Sequence, residues 1–230
     1  MIVAGLQKLS LVDYPGHLSA VVFLQGCNFR CGYCQNPALV KLEKAFEVSE
    51  EDIFSFLELR KEKLEGVVIS GGEPAIHNDL PELIRRISGY GLKVKLDTNG
   101  SRPSVIENLL GENLLDYIAL DIKTSLPKYH LVTDQKNIIE AMTESVRLTM
   151  SSGLPYEFRT TCVPGIVDEE DFRAIGELVD GAERYFLQQF RPDITYDEAL
   201  CDVKPFGAKK LEVFAARLKS HVKEVGIRGL

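Results

Sequence analysis

The sequence has no apolar run as long as a membrane span. A transmembrane helix needs about 18 or more consecutive apolar residues, and no stretch of the 230 residues reaches that length. The first eight residues also lack the charged and apolar pattern of a secretory signal. These two absences argue against a membrane partner and predict a reducing, cytoplasmic location.

Basic charge and cysteine are scarce as well. Lys and Arg number 27 against 34 Asp and Glu, which gives a net charge of −7, so the broad basic field of a general nucleic-acid-binding surface is missing. Nucleic acid is therefore not expected as a partner. Five cysteines are an odd number, and without a secretory signal a disulfide framework is disfavoured.

Three of the five cysteines lie in one short loop. Cys27, Cys31 and Cys34 follow the spacing C-x3-C-x2-C among Gly, Asn and Arg residues, where core cysteines are uncommon. A structural zinc site needs a fourth ligand; His17 lies ten residues upstream and no second CxxC follows. A 4Fe–4S cluster with three cysteine ligands, which leaves one iron open to a substrate or cofactor, is the favoured interpretation.

Apolar runs of strand length alternate with helical patterns along the chain. Strands are predicted at 19–24, 66–70, 92–97, 117–121, 156–163 and 184–190. Helices are predicted at 49–60, from 79 onward, and at 103–110, 136–151, 168–179 and 209–222. This alternation is typical of an α/β fold.

Six strand–helix repeats with short connections predict a parallel sheet with right-handed crossovers. Six units are too few to close an eight-stranded barrel, so we expect a partial (β/α)6 TIM-like barrel. A doubly wound open sheet remains the structural alternative. We predict one domain over residues 1–230, with an N-terminal extension (1–17), a core (18–190) and a C-terminal tail and helix (191–230).

Each predicted strand ends in polar residues, and ligands of parallel α/β folds bind at that edge of the sheet. The groups are Gly71-Gly72-Glu73-Pro74, Asp97-Thr98-Asn99-Gly100, Asp121-Ile122-Lys123, Arg159, and Gln188, Gln189 and Arg191. The two glycines would let backbone approach a ligand closely, and Glu73 would orient the turn or bind an amine. A plain turn at 71–74, an Asx-type loop at 97–100 and a surface lysine at 123 remain the alternatives.

The charged members of this set suggest two kinds of contact. Asp97, Thr98 and Asp121 could line a hard-cation or ribose site. Lys123 and Arg159 could neutralise a ligand carboxylate, Lys as a point charge and Arg as a fork. These two interpretations do not identify the ligand.

The motifs together resemble one family. The cysteine spacing with Tyr33 before the last cysteine, followed by the 71–74 turn, is similar to the radical S-adenosylmethionine (SAM) superfamily. Within it, the chain resembles the glycyl-radical-enzyme activases, most closely the anaerobic ribonucleoside-triphosphate reductase activating proteins and then the pyruvate formate-lyase activating enzymes. Further support comes from Leu11-Val12-Asp13-Tyr14-Pro15-Gly16 and Leu187-Gln188-Gln189-Phe190-Arg191-Pro192.

The resemblance implies an oxidoreductase with one 4Fe–4S cluster, ligated by Cys27, Cys31 and Cys34, and with SAM bound at the open iron. An electron from flavodoxin or ferredoxin would drive cleavage of SAM to methionine and a 5′-deoxyadenosyl radical. That radical would abstract a hydrogen atom from a glycine of a partner enzyme, which the subgroup suggests is anaerobic ribonucleotide reductase. A pyruvate formate-lyase activase, or an enzyme acting on a small molecule or nucleobase, is the alternative; a non-enzymatic iron–sulfur carrier is a third.

The resemblance also implies the residues that contact SAM. Gly71, Gly72 and Glu73 would hold the methionine moiety, and ribose and carboxylate contacts would come from Thr98, Asn99, Lys123 and Arg159. Tyr33 and Gln188 complete the predicted cofactor-binding set. In pyruvate formate-lyase activases a monovalent cation lies beside SAM, at positions that match Asp97, Thr98 and Asp121.

One feature of the sequence limits the number of clusters, and some residues have no role in this assignment. The 36 residues between Cys34 and Gly71 contain no cysteine, so a second cluster is not expected. Cys162 is predicted to be a packing cysteine at a strand end, and Cys201 a solvated tail cysteine. The 191–206 loop matches no pattern, and its role is left unassigned.

Overall fold

The computed structural model of the chain describes residues 1–41 and 47–230. The strands are β1 (Val3–Ser10), β2 (Ser19–Leu24), β3 (Gly66–Gly71), β4 (Lys93–Thr98), β5 (Tyr117–Asp121), β6 (Tyr156–Cys162), β7 (Ala182–Gln189) and β8 (Val222–Arg228). The α-helices are α1 (Pro37–Lys41), α2 (Glu50–Arg60), α3 (Leu80–Ser88), α4 (Pro103–Gly111), α5 (Ile138–Met150), α6 (Glu169–Leu178) and α7 (Ala208–Leu218). Short 3-10 helices span Pro74–Ile76, Leu126–Leu131 and Glu198–Asp202.

The strands form one sheet whose neighbours follow chain order from β1 to β8. β1 runs antiparallel to β2, whereas β2, β3 and β4 pair in parallel, as do β6, β7 and β8. A doubly wound sheet reverses its strand order at a switch point, so that alternative is wrong. The predicted α/β fold, a partial barrel of the TIM type with parallel strands, is confirmed.

The six strands predicted from the sequence correspond to β2 through β7, but β1 and β8 were missed. β1 is largely exposed along its middle and carries Gln and Lys there, so it lacks the apolar pattern of a buried strand. The last helix was predicted to reach residue 222, yet α7 ends at Leu218 and Val222 begins β8. Edge strands pair on one side only, which leaves a weak sequence signal.

Burial on both faces explains the apolar strands at the centre. In β2, Ala20, Val21 and Val22 are 0–2% exposed, and the three central residues of β3 are equally buried. Such runs need cover on both faces, which the helices between strands supply on one of them. Among the described residues, no helix is long and apolar enough to cross a membrane.

Contacts between residues divide the chain into two compact units. Unit 1 comprises Met1–Asn28, Ala38–Thr98 and Ser104–Ile118, and unit 2 comprises Phe29–Pro37, Asn99–Pro103 and Ala119–Leu230. Unit 1 therefore holds β1 to β4, and unit 2 holds β6 to β8. The single domain and its internal boundaries stay a prediction.

Candidate active site

The three loop cysteines form no disulfide, and they are divided between the two units. Cys27 is partly buried in unit 1, whereas Cys31 and Cys34 lie in unit 2. Cys34 N donates a hydrogen bond of 3.0 Å to Cys31 O, which closes a turn around Gly32 and Tyr33. In the part of the chain that the structure describes, no three His, Cys, Asp or Glu side chains form a group that could hold a metal ion. The cluster ligands therefore stay a prediction.

Cys31 has a buried, polar environment in unit 2. Burial raises the pKa of its thiol, while the ammonium of Lys123 acts in the opposite direction. Burial, followed by the neighbouring Cys31, Tyr129 and Asp121, raises the pKa of the Tyr33 phenol well above its ordinary value. The Tyr33 hydroxyl is buried beside the Cys31 thiol and has no nitrogen or oxygen hydrogen-bond partner among the described residues. A buried phenol whose polar neighbour is the thiol of a predicted cluster ligand suits a site that holds a bound group.

A chain of alternating charges runs through unit 2. Lys123 Nζ lies 3.0 Å from Asp121 Oδ2, and Arg159 Nε lies 2.8 Å from Asp121 Oδ1. Arg159 Nη1 lies 3.8 Å from Glu157 Oε1, and Arg228 from β8 holds both Glu157 oxygens at 2.9 and 2.8 Å. Three cations and two anions leave one net positive charge, which favours an anionic ligand.

The central carboxylate of this chain is ionised despite its surroundings. Burial would raise the pKa of Asp121, but the charges of Arg159 and Lys123 hold it well below its usual range. Burial would lower the pKa of Lys123, yet Asp121 and then Cys31 raise it above its ordinary value. The Lys123 side chain is 18% exposed, so the alternative of a surface lysine is wrong.

The 71–74 turn follows β3 and lies against the end of β2 in unit 1. Gly72 N donates a hydrogen bond of 2.9 Å to Leu24 O. A Cβ on Gly72 would lie 1.9 Å from Gly26 O, and a Cβ on Gly71 would lie 2.4 Å from Leu24 N and O. Gly71 also has a φ of +116°. Only glycine fits, and the backbone that approaches most closely is the chain's own, just before the first cysteine.

Glu73 is buried inside this turn and is bonded by its neighbours. Its Oε1 accepts hydrogen bonds from Ala75 N at 3.0 Å and from Thr98 Oγ1 at 2.7 Å. Its own N–H donates to Gly26 O at 2.8 Å. Glu73 therefore orients the turn, which is one of the two roles predicted for it. The other role, binding an amine, stays a prediction.

Asp97 has a cation beside it that the sequence analysis did not identify. Lys95 Nζ lies 2.5 Å from Asp97 Oδ1, and the Lys95 side chain is only 1% exposed. Ser70 Oγ donates to Asp97 Oδ2 at 3.3 Å, and the ammonium lies 5.7 Å from the centre of the Tyr117 ring. Residues two apart in a strand share a face, so β4 itself brings Lys95 and Asp97 together.

Asn99 forms an Asx-type turn, which was the alternative to a ligand contact at residues 97–100. Its Oδ1 accepts a hydrogen bond of 3.0 Å from Ser101 N, which is an Asx turn. Gly100 follows with a φ of +73°, and its carbonyl accepts a hydrogen bond of 2.6 Å from Ser145 Oγ. A contact between Asn99 and a ribose stays a prediction.

Comparison with known proteins decides the family. The model of the Radical SAM superfamily matches residues 21–179. The chain belongs to the radical SAM superfamily. A provisionally named glycyl-radical enzyme activating enzyme of Methanocaldococcus jannaschii is 35% identical over 99% of this chain and 95% of its own length. A pyruvate formate-lyase-activating enzyme of Streptococcus mutans is 32% identical over 77% of this chain and 72% of its own length.

Two solved structures share the fold at low sequence identity. SuiB of Streptococcus suis aligns with a TM-score of 0.64 and 14% identity over 91% of this chain, which spans about half of SuiB, at 48%. TYW1 with a lysine-pyruvate adduct aligns with a TM-score of 0.63 and 15% identity over 89% of this chain and 74% of that one. The chain is thus a radical SAM enzyme of the glycyl-radical activase family, and the family implies a 4Fe–4S cluster and SAM.

Two adjacent glutamines end β7 of this radical SAM enzyme, and the sequence analysis favoured one of them. Gln188 lies opposite Thr161 of β6 and Arg228 of β8 in the strand register. Gln189 Nε2 donates to Phe206 O at 2.9 Å, but its Oε1 is buried without a partner among the described residues. Strand alternation places the two side chains on opposite faces, so spacing alone could not select between them.

The unassigned 191–206 segment lies on the cysteine turn of the radical SAM motif. Asp197 N donates a hydrogen bond of 2.8 Å to Gly32 O. A Cβ on Gly32 would lie 3.2 Å from Leu200 Cδ1 and 3.4 Å from Asp197 Cβ. The segment therefore covers Gly32, the first of the two residues between the second and third cysteines, and glycine at that position makes room for it.

The two remaining cysteines match their predicted surroundings. Cys162 is fully buried, its Sγ lies 3.8 Å from Thr160 O, and burial raises the pKa of the thiol to about 12. Cys201 is exposed, with its Sγ 3.2 Å from Thr195 Oγ1. The buried environment of Cys162, which keeps its thiol protonated, is not that of a thiolate ligand.

Sequence reasoning missed Lys95, Glu157 and Arg228. A signal existed for the first two, because each stands two residues before an opposite charge in the same strand. Such i, i+2 pairs share one face, and a buried charge needs a partner there. Arg228 had no comparable signal, since β8 was not predicted.

Proposed function

We propose that this radical SAM enzyme installs a glycyl radical on a partner protein, which we take to be anaerobic ribonucleotide reductase. Cys27, Cys31 and Cys34 would hold one 4Fe–4S cluster. When bound, cluster and SAM together supply a 5′-deoxyadenosyl radical that removes a hydrogen atom from a glycine. The observation that carries the proposal is the pair of free thiols on the Cys31–Cys34 turn, beside the buried hydroxyl of Tyr33.

The chain's own residues would bind and orient SAM. The net positive charge of the Lys123, Asp121 and Arg159 group suits the carboxylate of the methionine moiety. The remaining proposed contacts, carried over from the family resemblance, are Tyr33, Gly71, Gly72, Glu73, Thr98, Asn99 and Gln188. The monovalent cation of related activases is left out, because Asp97 and Asp121 are already paired with cationic side chains.

The electron would come from a flavodoxin or a ferredoxin. Free thiols that must ligate a cluster require a reducing compartment, so we propose that the enzyme works in the cytoplasm. We propose that the enzyme's own part in the electron step is to hold the cysteine turn in place through the contacts of Asp197 and Leu200 with Gly32.

Electron paramagnetic resonance tests the proposal directly. The enzyme is reconstituted anaerobically with iron and sulfide, then incubated with SAM, a reductant and the anaerobic ribonucleotide reductase encoded in the same genome. We expect a glycyl doublet on the reductase, lost in Cys31→Ala and kept in Cys201→Ser. A glycyl doublet that persists in Cys31→Ala, or no doublet with any co-encoded glycyl-radical enzyme, would overturn the proposal.

A second candidate partner is pyruvate formate-lyase. The relative from Streptococcus mutans, which covers 77% of this chain, is named for activating that enzyme. The same spectroscopic assay with pyruvate formate-lyase in place of the reductase separates the two. A doublet on pyruvate formate-lyase alone would move the assignment to it.

A further inference from the structure

The carboxylates that match the cation site of related activases are already neutralised by the protein. In unit 1, Asp97 is paired with Lys95 at 2.5 Å. In unit 2, Asp121 is paired with Lys123 at 3.0 Å and with Arg159 at 2.8 Å. Each of the two carboxylates therefore has a cationic side chain beside it.

Lys95 is an unusual residue to find at the centre of a sheet. Its side chain is 1% exposed, and lysine is almost never fully buried unless it is paired. Burying an ammonium costs free energy, which only a close opposite charge offsets. Val68 of β3 lies opposite Lys95 in the register, so Asp97 and the Tyr117 ring, 5.7 Å away, compensate the charge.

The surroundings of Asp97 leave the ammonium little freedom to move away. Ser70 Oγ donates to the second oxygen of Asp97 at 3.3 Å, which fixes the carboxylate plane. The hydroxyl hydrogen of Thr98, the other predicted cation ligand of unit 1, is committed to Glu73 at 2.7 Å. A lysine ammonium is a compact single positive charge, the same charge that a monovalent cation would bring.

We infer that the Lys95 ammonium takes the place of the monovalent cation, so that this enzyme binds SAM without K⁺ or Na⁺. The inference rests on the proposed function, because it concerns the SAM site. It also predicts that removal of the ammonium leaves a negative charge at Asp97 that an inorganic cation can then neutralise.

The test measures SAM affinity by equilibrium dialysis of the anaerobically reconstituted enzyme in choline chloride and in KCl of equal ionic strength. For the wild type we expect the same affinity in both salts. Lys95→Met, which keeps the length of the side chain and removes its charge, should bind about tenfold or more weakly in choline chloride and recover in KCl. Lys93→Met is the matched control, since Lys93 Nζ lies 2.9 Å from His17 Nε2 on the exposed end of the same strand.

A second readout needs neither SAM nor the cluster. The thermal midpoint of the cluster-free wild type should be the same in both salts, whereas that of Lys95→Met should rise in KCl. Should Lys95→Met fail to fold, Lys95→Gln and the wild-type salt comparison replace it. Weaker wild-type SAM binding in choline chloride, or a lysine variant with no response to K⁺, would overturn the inference. No SAM binding in either salt would instead refute the proposed function, and the inference with it.

Discussion

Thr98 Oγ1 donates a hydrogen bond of 2.7 Å to Glu73 Oε1 and so ties the end of β4 to the 71–74 turn. These two residues belong to separate sequence motifs, each predicted to bind the same cofactor. In the fold they also bind one another, with Ala75 N as the second donor to the same oxygen. The two motifs are therefore parts of one rigid arrangement rather than independent contacts.

Removing the Thr98 hydroxyl tests the strength of this link. Thr98→Val keeps the shape of the side chain but leaves buried Glu73 with one donor fewer, which should lower the free energy of unfolding by about 1–3 kcal/mol. Thr98→Ser retains the hydroxyl, so its free energy of unfolding should be much closer to that of the wild type. Urea denaturation gives both values. Equal losses in the two variants would mean that the methyl group, and not the hydrogen bond, matters.

The close approach of Gly72 to Gly26 gives a second prediction. Gly72→Ala places a methyl group 1.9 Å from a backbone oxygen, and the backbone must move. We expect a loss of stability of about 1–3 kcal/mol or more, as is typical of overpacking. Gly111→Ala is the control, because a Cβ there meets nothing within 4 Å. Thermal unfolding of both variants measures the difference, and similar midpoints would contradict the predicted clash.

Sequence patterns predicted the six central strands, and in β2, β3 and β5 the apolar run that carried the prediction is buried on both faces. The polar strand ends could also be identified, since residue type and position suffice there. What the patterns could not give is which polar group pairs with which. Glu73 could face a ligand or its own turn, and only the fold brings Thr98 within 2.7 Å of it.

The sequence also could not predict which charged side chains pair with each other. Lys123 and Arg159 were predicted as contacts for a ligand carboxylate, but each first pairs with Asp121. Which charged side chains pair across strands depends on the strand register. It also depends on strands that have no clear sequence pattern, such as β8, which carries Arg228. A one-residue change in register turns every side chain to the other face, so local sequence cannot fix such pairs.

The depressed pKa of Asp121 predicts a dependence of stability on pH. Arg159 and Lys123 lower that pKa against the effect of burial, so the stabilisation is present above the unfolded value of about 3.9 and is lost as pH falls below it. Asp121→Asn leaves two buried cations without this partner and should cost roughly 3–5 kcal/mol at pH 7. Its deficit should shrink as pH falls from 5 to 2.

Urea denaturation across that pH range measures the deficit for Asp121→Asn. Asp202→Asn is the control, because Asp202 is exposed in the 191–206 segment. The free energy of unfolding of Asp202→Asn should match that of the wild type at every pH. A deficit of Asp121→Asn that stays constant from pH 7 to pH 2 would show that the lost interaction is not with the ionised carboxylate.

The contact between Gly32 and Leu200 predicts how the 191–206 segment is held. Gly32→Val introduces side-chain atoms where Leu200 Cδ1 lies 3.2 Å from the Cβ position, so the segment must move away. We expect faster hydrogen exchange at the Asp197 amide, whose hydrogen bond to Gly32 O would weaken. Gly207→Val is the control, since a Cβ there has open space. Unchanged exchange at Asp197 in Gly32→Val would contradict the contact.

Tyr33 and Tyr129 are both buried tyrosines near Cys31, but their hydroxyls have different partners. Tyr129 Oη accepts a hydrogen bond of 3.2 Å from Lys123 N, whereas the Tyr33 hydroxyl has only the weakly accepting Cys31 thiol beside it among the described residues. In cluster-free protein, Tyr129→Phe should therefore lose about 1 kcal/mol of unfolding free energy, while Tyr33→Phe should lose nothing or gain a little.

In reconstituted protein we expect the opposite result: Tyr33→Phe should be impaired more than Tyr129→Phe. If the Tyr33 hydroxyl serves the group that the cysteines bind, its loss removes a hydrogen bond only in the loaded protein, where a sulfur or SAM atom accepts it. Urea denaturation of cluster-free protein, together with SAM affinity of reconstituted protein, distinguishes the two tyrosines. A Tyr33→Phe variant that is as destabilised as Tyr129→Phe without the cluster, and equal to wild type with it, would show that the hydroxyl is purely structural.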